Sequence, residues 1–144
     1  MKRWLFNLFC LLVSLNLFGQ TDNLGGLVLI GNSVGYQSLN VKKVKDIFKG
    51  KVASWPNNET VTLVMPSSKC SFAELYAKEV FGTSYTGVQK YWLALVFQGR
   101  ASAPVFMQSS KEILEYIKQN PGAIALVDLN AKDIPSSYLI KLIP

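Results

Sequence analysis

The 144-residue chain contains no histidine. That absence removes the zinc and copper sites assembled from histidine and cysteine, and every catalytic triad in which an imidazole carries the proton. Cysteine is nearly as scarce, with only Cys10 and Cys70. Charged residues make up 17% of the chain against 49% hydrophobic ones, which is the balance of a globular protein rather than a disordered one. The lysines are scattered apart from Lys42, Lys43 and Lys45. That short run reads as a solvated helix face, and no nucleic-acid partner is expected. Internal repeats and low-complexity segments are missing too, and the length suits one domain.

What is present begins with a leader-like segment. Lys2 and Arg3 precede a largely apolar run from Trp4 to Phe18, and Gly19 offers a small residue for cleavage. This is the layout of a secretory signal peptide over residues 1–19. The run is shorter than the roughly 20 apolar residues a membrane span needs. The expectation is an exported protein, periplasmic or secreted, with its domain over 20–144. Without Lys2 and Arg3 there remain 13 basic residues against 9 acidic ones, a net charge of +4. Such a mild positive field favours anionic ligands. Cys10 leaves with the leader, so Cys70 has no partner for an intramolecular disulfide.

Strand-like and helix-like stretches alternate beyond the leader. Gly25 to Asn32 and Thr60 to Met65 read as strands, as do "GAIALVD" and the last stretch "SYLIKLI". "LNVKKVKDIFKGK" reads as a helix, with Asn40 as N-cap, Val41, Val44, Ile47 and Phe48 on one face, and Gly50 as its stop. Helices are also expected over "SFAELYAKEVFG" and over "SYTGVQKYWLALVFQG", where Val88, Tyr91, Trp92, Leu95 and Val96 share a face. Ser109 and Glu112 form a capping box for a further helix. The segment from Gly99 to Gln108 reads as an irregular rim. The pattern predicts an α/β fold with a mostly parallel or mixed sheet covered on both faces.

Candidate chemistry concentrates in "MPSSKCSF", Met65 to Phe72, at a strand-to-helix turn. A helix start exposes backbone N–H groups and partial positive charge. Ser67, Ser68 and Ser71 can therefore cap the helix or help hold an anion beside Lys69. Local sequence leaves both readings open. Cys70 lacks a histidine to activate it and reads as an inert, partly buried thiol. Glu112 and Glu115 share a helix, face solvent and form no acid/base pair. Trp55, Tyr91 and Trp92 read as core rather than as a stacking platform. Catalytic residues, metal ligands and cofactors are all expected to be absent, and the chain does not read as an enzyme.

Two stretches carry a resemblance to a known family. "VKDIFKGKVASWPN", Val44 to Asn57, resembles the "IF-x-GK-x-x-x-W" segment of periplasmic phosphate-binding proteins, the substrate-binding components of phosphate ABC transporters. "NPGAIALVDLNAKDIPSSYLIKL", Asn120 to Leu142, is similar to their "PGAIGYV" strand and the segment beyond it. With the serine-containing turn between them, the resemblance covers about Leu27 to Leu142. It implies one lobe of a type II periplasmic-binding fold, in a family whose members hold an anion between two lobes. It also implies that Ser68 keeps the serine role of a "GSGT" turn. Lys69 stands for a glycine and Cys70 for the threonine, which Ser71 partly replaces. The family's arginine is missing, with Met65 and Pro66 in that region.

The resulting expectation is a phosphate-binding-like protein for ABC-type transport or sensing. It would hold phosphate or a similar small oxyanion weakly at Ser67, Ser68, Lys69, Cys70 and Ser71, with Ser33 from the first loop. Its partners would be a second copy of the chain or the membrane component of an ABC transporter. The alternative is a single-lobe interaction or accessory module that has lost ligand binding.

Overall fold

A computed structural model describes residues 24–128 and 134–144. The expected leader over 1–19 and Cys10 lie outside them. Among the described residues, six strands and four α-helices run in the order β1 (Leu27–Gly31), β2 (Ser38–Asn40), α1 (Val41–Phe48), β3 (Thr62–Pro66), α2 (Ala73–Tyr76), α3 (Tyr85–Phe97), β4 (Val105–Met107), α4 (Ser110–Gln119), β5 (Ala123–Asp128) and β6 (Lys141–Ile143). The main sheet has the order β1-β5-β3-β4. β3 runs parallel to β5 and to β4, whereas β1 runs antiparallel to β5. The expected mixed sheet is present. A small parallel pair, β2 with β6, stands apart from it.

Burial explains why β5 sits inside. Ala123 to Val127 are all buried, and successive residues of a strand point to opposite faces. Both faces of β5 are therefore covered. α4 lays Ile113, Leu114 and Ile117 on one face. On the other side Phe48 of α1 meets Tyr76 of α2 edge-on, at 5.9 Å between ring centroids. The outer edge of β1 is closed by Ile140, whose N–H donates to Leu29 O at 3.0 Å.

Local signals account for most boundaries. Asn40 caps α1 by accepting from Lys43 N–H at 2.7 Å, and Gly50 ends that helix at φ 77°. Ser84 caps α3 and Ser109 caps α4. Glu112 completes the second cap by accepting from Gln108 N–H at 2.9 Å.

Several sequence expectations need correction. The irregular rim from Gly99 to Gln108 contains β4, too short for alternation to register. Leu39 and Asn40, expected to open the helix, belong with Ser38 to a strand paired with β6. The last strand shrinks to Lys141–Ile143, preceded by a 3-10 turn over Ser136–Tyr138. The helix after the turn changes at Ala77 to a π-helical segment, Ala77–Phe81, which ends on Gly82 at φ 69°. Neither Ser68 nor Ser71 caps α2, because Phe72 occupies the N-cap and makes no side-chain capping bond.

Candidate functional site

The turn from Ser67 to Ser71 leaves the end of β3 and is tied down at both sides. Ser67 N–H donates to Met107 O at 2.7 Å, which extends the β3–β4 pairing by one rung. Tyr85 Oη, buried, donates to Pro66 O at 2.7 Å. Cys70 N–H closes the turn on Ser67 O at 3.0 Å, and Ala73 N–H bonds Cys70 O at 3.1 Å. Lys69 N–H reaches Ser67 Oγ at 3.4 Å. Ser68, Lys69 and Ser71 are exposed, Ser67 is half-buried and Cys70 is buried. The Ser68 N–H has no acceptor among the described residues.

Two tyrosines below this turn differ in a testable way. Tyr85 holds the carbonyl of Pro66, whereas the fully buried Tyr76 hydroxyl has no partner among the described residues. Tyr85→Phe is expected to cost about 1–3 kcal/mol, because it leaves a buried carbonyl unpaired. Tyr76→Phe is expected to be neutral or stabilising, because it removes an unpaired polar group. Urea denaturation of both variants checks this; equal losses would contradict the anchoring role of Tyr85.

Electrostatics at the turn come from both directions. Burial pushes the Cys70 thiol up, while the N–H groups of Phe72 and Ser71 pull it down. The carboxylates of Asp128 and Glu112 also push it up. A buried thiol kept protonated in this way is a poor nucleophile, in agreement with the reading of Cys70 as inert. Asp128 lies at the end of β5 and accepts from Ser110 Oγ at 3.2 Å. An anion at the turn would meet the exposed Lys69 and the field of the two carboxylates that act on Cys70.

Ser33 is not brought to this place. It comes just after β1, where Gly122 N–H donates to Asn32 O at 2.7 Å. Gly122 adjoins the start of β5, and β3 begins beside it with Thr62 opposite Ala123. Ser67 sits at the other end of β3, about 16 Å away at 3.3 Å per residue. Ser33 holds a loop instead. Its backbone is left-handed at φ 54°, its Oγ donates to Asn32 Oδ1 at 3.2 Å, and its carbonyl accepts from Asn57 Nδ2 at 2.7 Å.

Trp55 and Trp92 are both buried, and Trp55 Nε1 donates to Gly122 O at 2.8 Å. Tyr91 Oη donates to Lys49 O at 2.7 Å. These aromatics are packed into the fold and build no stacking platform. Sequence reasoning missed Tyr85, Met107, Asp128 and the influence of Glu112, all of which reach the turn from distant elements.

The profile of the PBP superfamily domain matches residues 23–139. A search of curated proteins found no significant match. Among solved structures the chain is similar to a protein from Clostridium perfringens described as a putative phosphate ABC transporter substrate-binding protein, with phosphate bound. The TM-score is 0.60 at 15% identity, over 81% of this chain and 44% of that one. It is also similar to an ABC-type phosphate transport receptor from Vibrio cholerae, with TM-score 0.53 at 15% identity, over 85% of this chain and 48% of that one. A third likeness is to PfluDING, a high affinity periplasmic phosphate-binding protein bound with phosphate. Here the TM-score is 0.58 at 14% identity, over 83% and 37% of the two chains. At these identities the likeness is one of fold. The chain spans less than half the length of each of these proteins, and its fold matches a single lobe of theirs.

Proposed function

The chain belongs to the PBP superfamily, and on that footing we propose that it is an exported binding protein, not an enzyme, that holds phosphate or a similar small oxyanion weakly. The observation that carries this reading is the turn after β3. There Ser68, Lys69 and Ser71 are exposed, and the Ser68 N–H has no acceptor among the described residues. The three solved structures described above are of proteins whose descriptions name phosphate transport or phosphate binding. In this reading residues 1–19 are a cleaved leader, the protein works in the periplasm or outside the cell, and it serves ABC-type transport or sensing. Among the described residues no helix is long and apolar enough to cross a membrane.

Weak binding is expected from the chemistry of the turn. A hydrogen bond to a charged group contributes roughly 1.5–3 kcal/mol. Lys69 is a point charge where arginine would grip two oxygens at once. Two or three such contacts, opposed by Asp128 and Glu112, suit a millimolar site at about 4 kcal/mol better than a micromolar one at about 8 kcal/mol.

Thermal melting against phosphate, sulfate and chloride at matched ionic strength tests the reading. Phosphate at about 100 times its dissociation constant is expected to add about 2.7 kcal/mol, a rise of several degrees. The rise should vanish in Ser68→Ala combined with Lys69→Ala. A melting temperature indifferent to phosphate up to its solubility would refute an anion site. A second reading, that of an interaction module without ligand, is favoured by α3, where Leu93, Val96 and Phe97 are 64%, 38% and 89% exposed.

A further inference from the structure

α1 and the residue that ends it carry four lysines, Lys42, Lys43, Lys45 and Lys49, against a single carboxylate, Asp46. Asp46 is already engaged, by Lys42 Nζ at 3.2 Å and by Lys51 Nζ at 2.7 Å. Lys45 and Lys49 form no ion pair among the described residues. They stand one turn apart on the helix, where like charges oppose each other. Both are half-buried. A lysine so placed lays its stem along the protein and keeps its ammonium in water.

These side chains line a groove of about 490 Å³, together with Lys42, Asp46, Val41 and Pro144. β6 runs parallel to β2 with Ile143 opposite Asn40, which brings Pro144 beside the start of α1. No ion pair joins Pro144 to the lysines among the described residues. Three lysines against one carboxylate leave the lining side chains with an excess of positive charge.

We propose that this groove receives an extended acidic segment of another protein, with alternate carboxylates on Lys45 and Lys49. Spacing supports it. The two lysines lie about 6 Å apart along the helix axis, and side chains on one side of an extended chain repeat every 6.6–6.8 Å or so. Lys42 adds about 4.5 Å more, so the row matches three to four residues of extended chain. Shape favours a single strand of peptide over a flat anionic membrane, which would reach the exposed Lys42 before the half-buried pair. Among the described residues no aromatic side chain lines the groove, so the bases of a single-stranded nucleic acid would find nothing to stack on. The formal net charge of +6 steers an acidic partner toward the chain.

Fluorescence anisotropy of a labelled hexaglutamate peptide titrated with the purified protein, in roughly 50 mM and 300 mM NaCl, tests this. Exposed ion pairs are individually weak, so a dissociation constant on the order of 100 μM is expected at the lower salt, rising about tenfold at the higher. Lys45→Gln with Lys49→Gln is expected to weaken binding about tenfold or more and to keep the cooperative melt. Lys78→Gln with Lys90→Gln removes the same charge from exposed positions elsewhere and should leave the affinity within about twofold. No binding at about 1 mM protein in the lower salt would overturn the proposal. Equal losses in the two pairs would also overturn it, by reducing the effect to net charge. So would tighter binding to phosphatidylglycerol vesicles or to oligothymidylate than to the peptide. Ser68→Ala with Lys69→Ala should bind the peptide as the wild type does, and a loss there would move the peptide to the turn and overturn the groove. Phosphate is absent from this experiment, so the anion reading of the turn stands or falls separately.

Discussion

Phe48→Ala is expected to lower the unfolding free energy by about 3–5 kcal/mol. Phe48 is fully buried at the end of α1 and meets Tyr76 edge-on. Tyr76 in turn contacts Phe81 at 6.1 Å, and Phe81 contacts Tyr91 of α3 at 5.4 Å. The ring of Phe48 therefore starts a run of aromatics that binds three helical segments to one another. Removing it takes away both the transfer term and the edge-to-face contact, and it leaves a cavity that rigid aromatic neighbours fill poorly. Small domains hold about 5–15 kcal/mol in total, so the variant should melt about 10–15 °C lower. Calorimetry or a urea titration decides it. A loss below about 1 kcal/mol would mean that the helical layer repacks freely.

Gly122→Ala is expected to cost about 3 kcal/mol or more, for a different reason. Gly122 has φ +84°, and a Cβ there would run into Thr60 O, a backbone atom that cannot swing away. The same residue receives Thr62 N–H at 3.0 Å and Trp55 Nε1–H at 2.8 Å on its carbonyl, and donates its N–H to Asn32 O. Strain in the left-handed region adds about 1–2 kcal/mol, and displacing the backbone disturbs the start of two strands. Gly82→Ala is the control. Gly82 also has a positive φ, +69°, but open space around its Cβ position, so only the conformational cost of about 1 kcal/mol applies. Denaturation curves showing similar losses for the two would exclude the clash with Thr60 as a cause.

Both residues lie in stretches the sequence makes conspicuous, Phe48 in "IFKGK" and Gly122 in "PGAI". Local chemistry is readable there: Asn40 and Ser109 as caps, Gly50 and Gly82 as stops, Ala123 to Val127 as a buried strand. α3 is harder, because a helix apolar on every side has no periodicity to show which side faces in. Val96, expected on the buried face, is exposed instead. β2 and β4 have three residues each, too few to display alternation. At the candidate site the turn itself is legible in the sequence, but its surroundings are not. Asp128, Met107 and Tyr85 arrive through strand order and helix packing, which local patterns do not encode. Ser33 fails for the same reason: a hydroxyl beside a strand end says nothing about which end of the sheet it will occupy.

The position of β5 between β1 and β3 also governs when this protein can become itself. Leu27 pairs with Asp128, about a hundred residues later, and β3 reaches β1 only through β5. Until β5 has been synthesised, β1 has no neighbour, and the faces that α4 and the aromatic layer should cover have no centre to pack on. Closing loops of that span before any contact rewards them is slow, as in other folds dominated by distant pairings. β1 therefore gains its partner in the main sheet only after β5 has been made, whereas β3 and β4 can pair with each other before then.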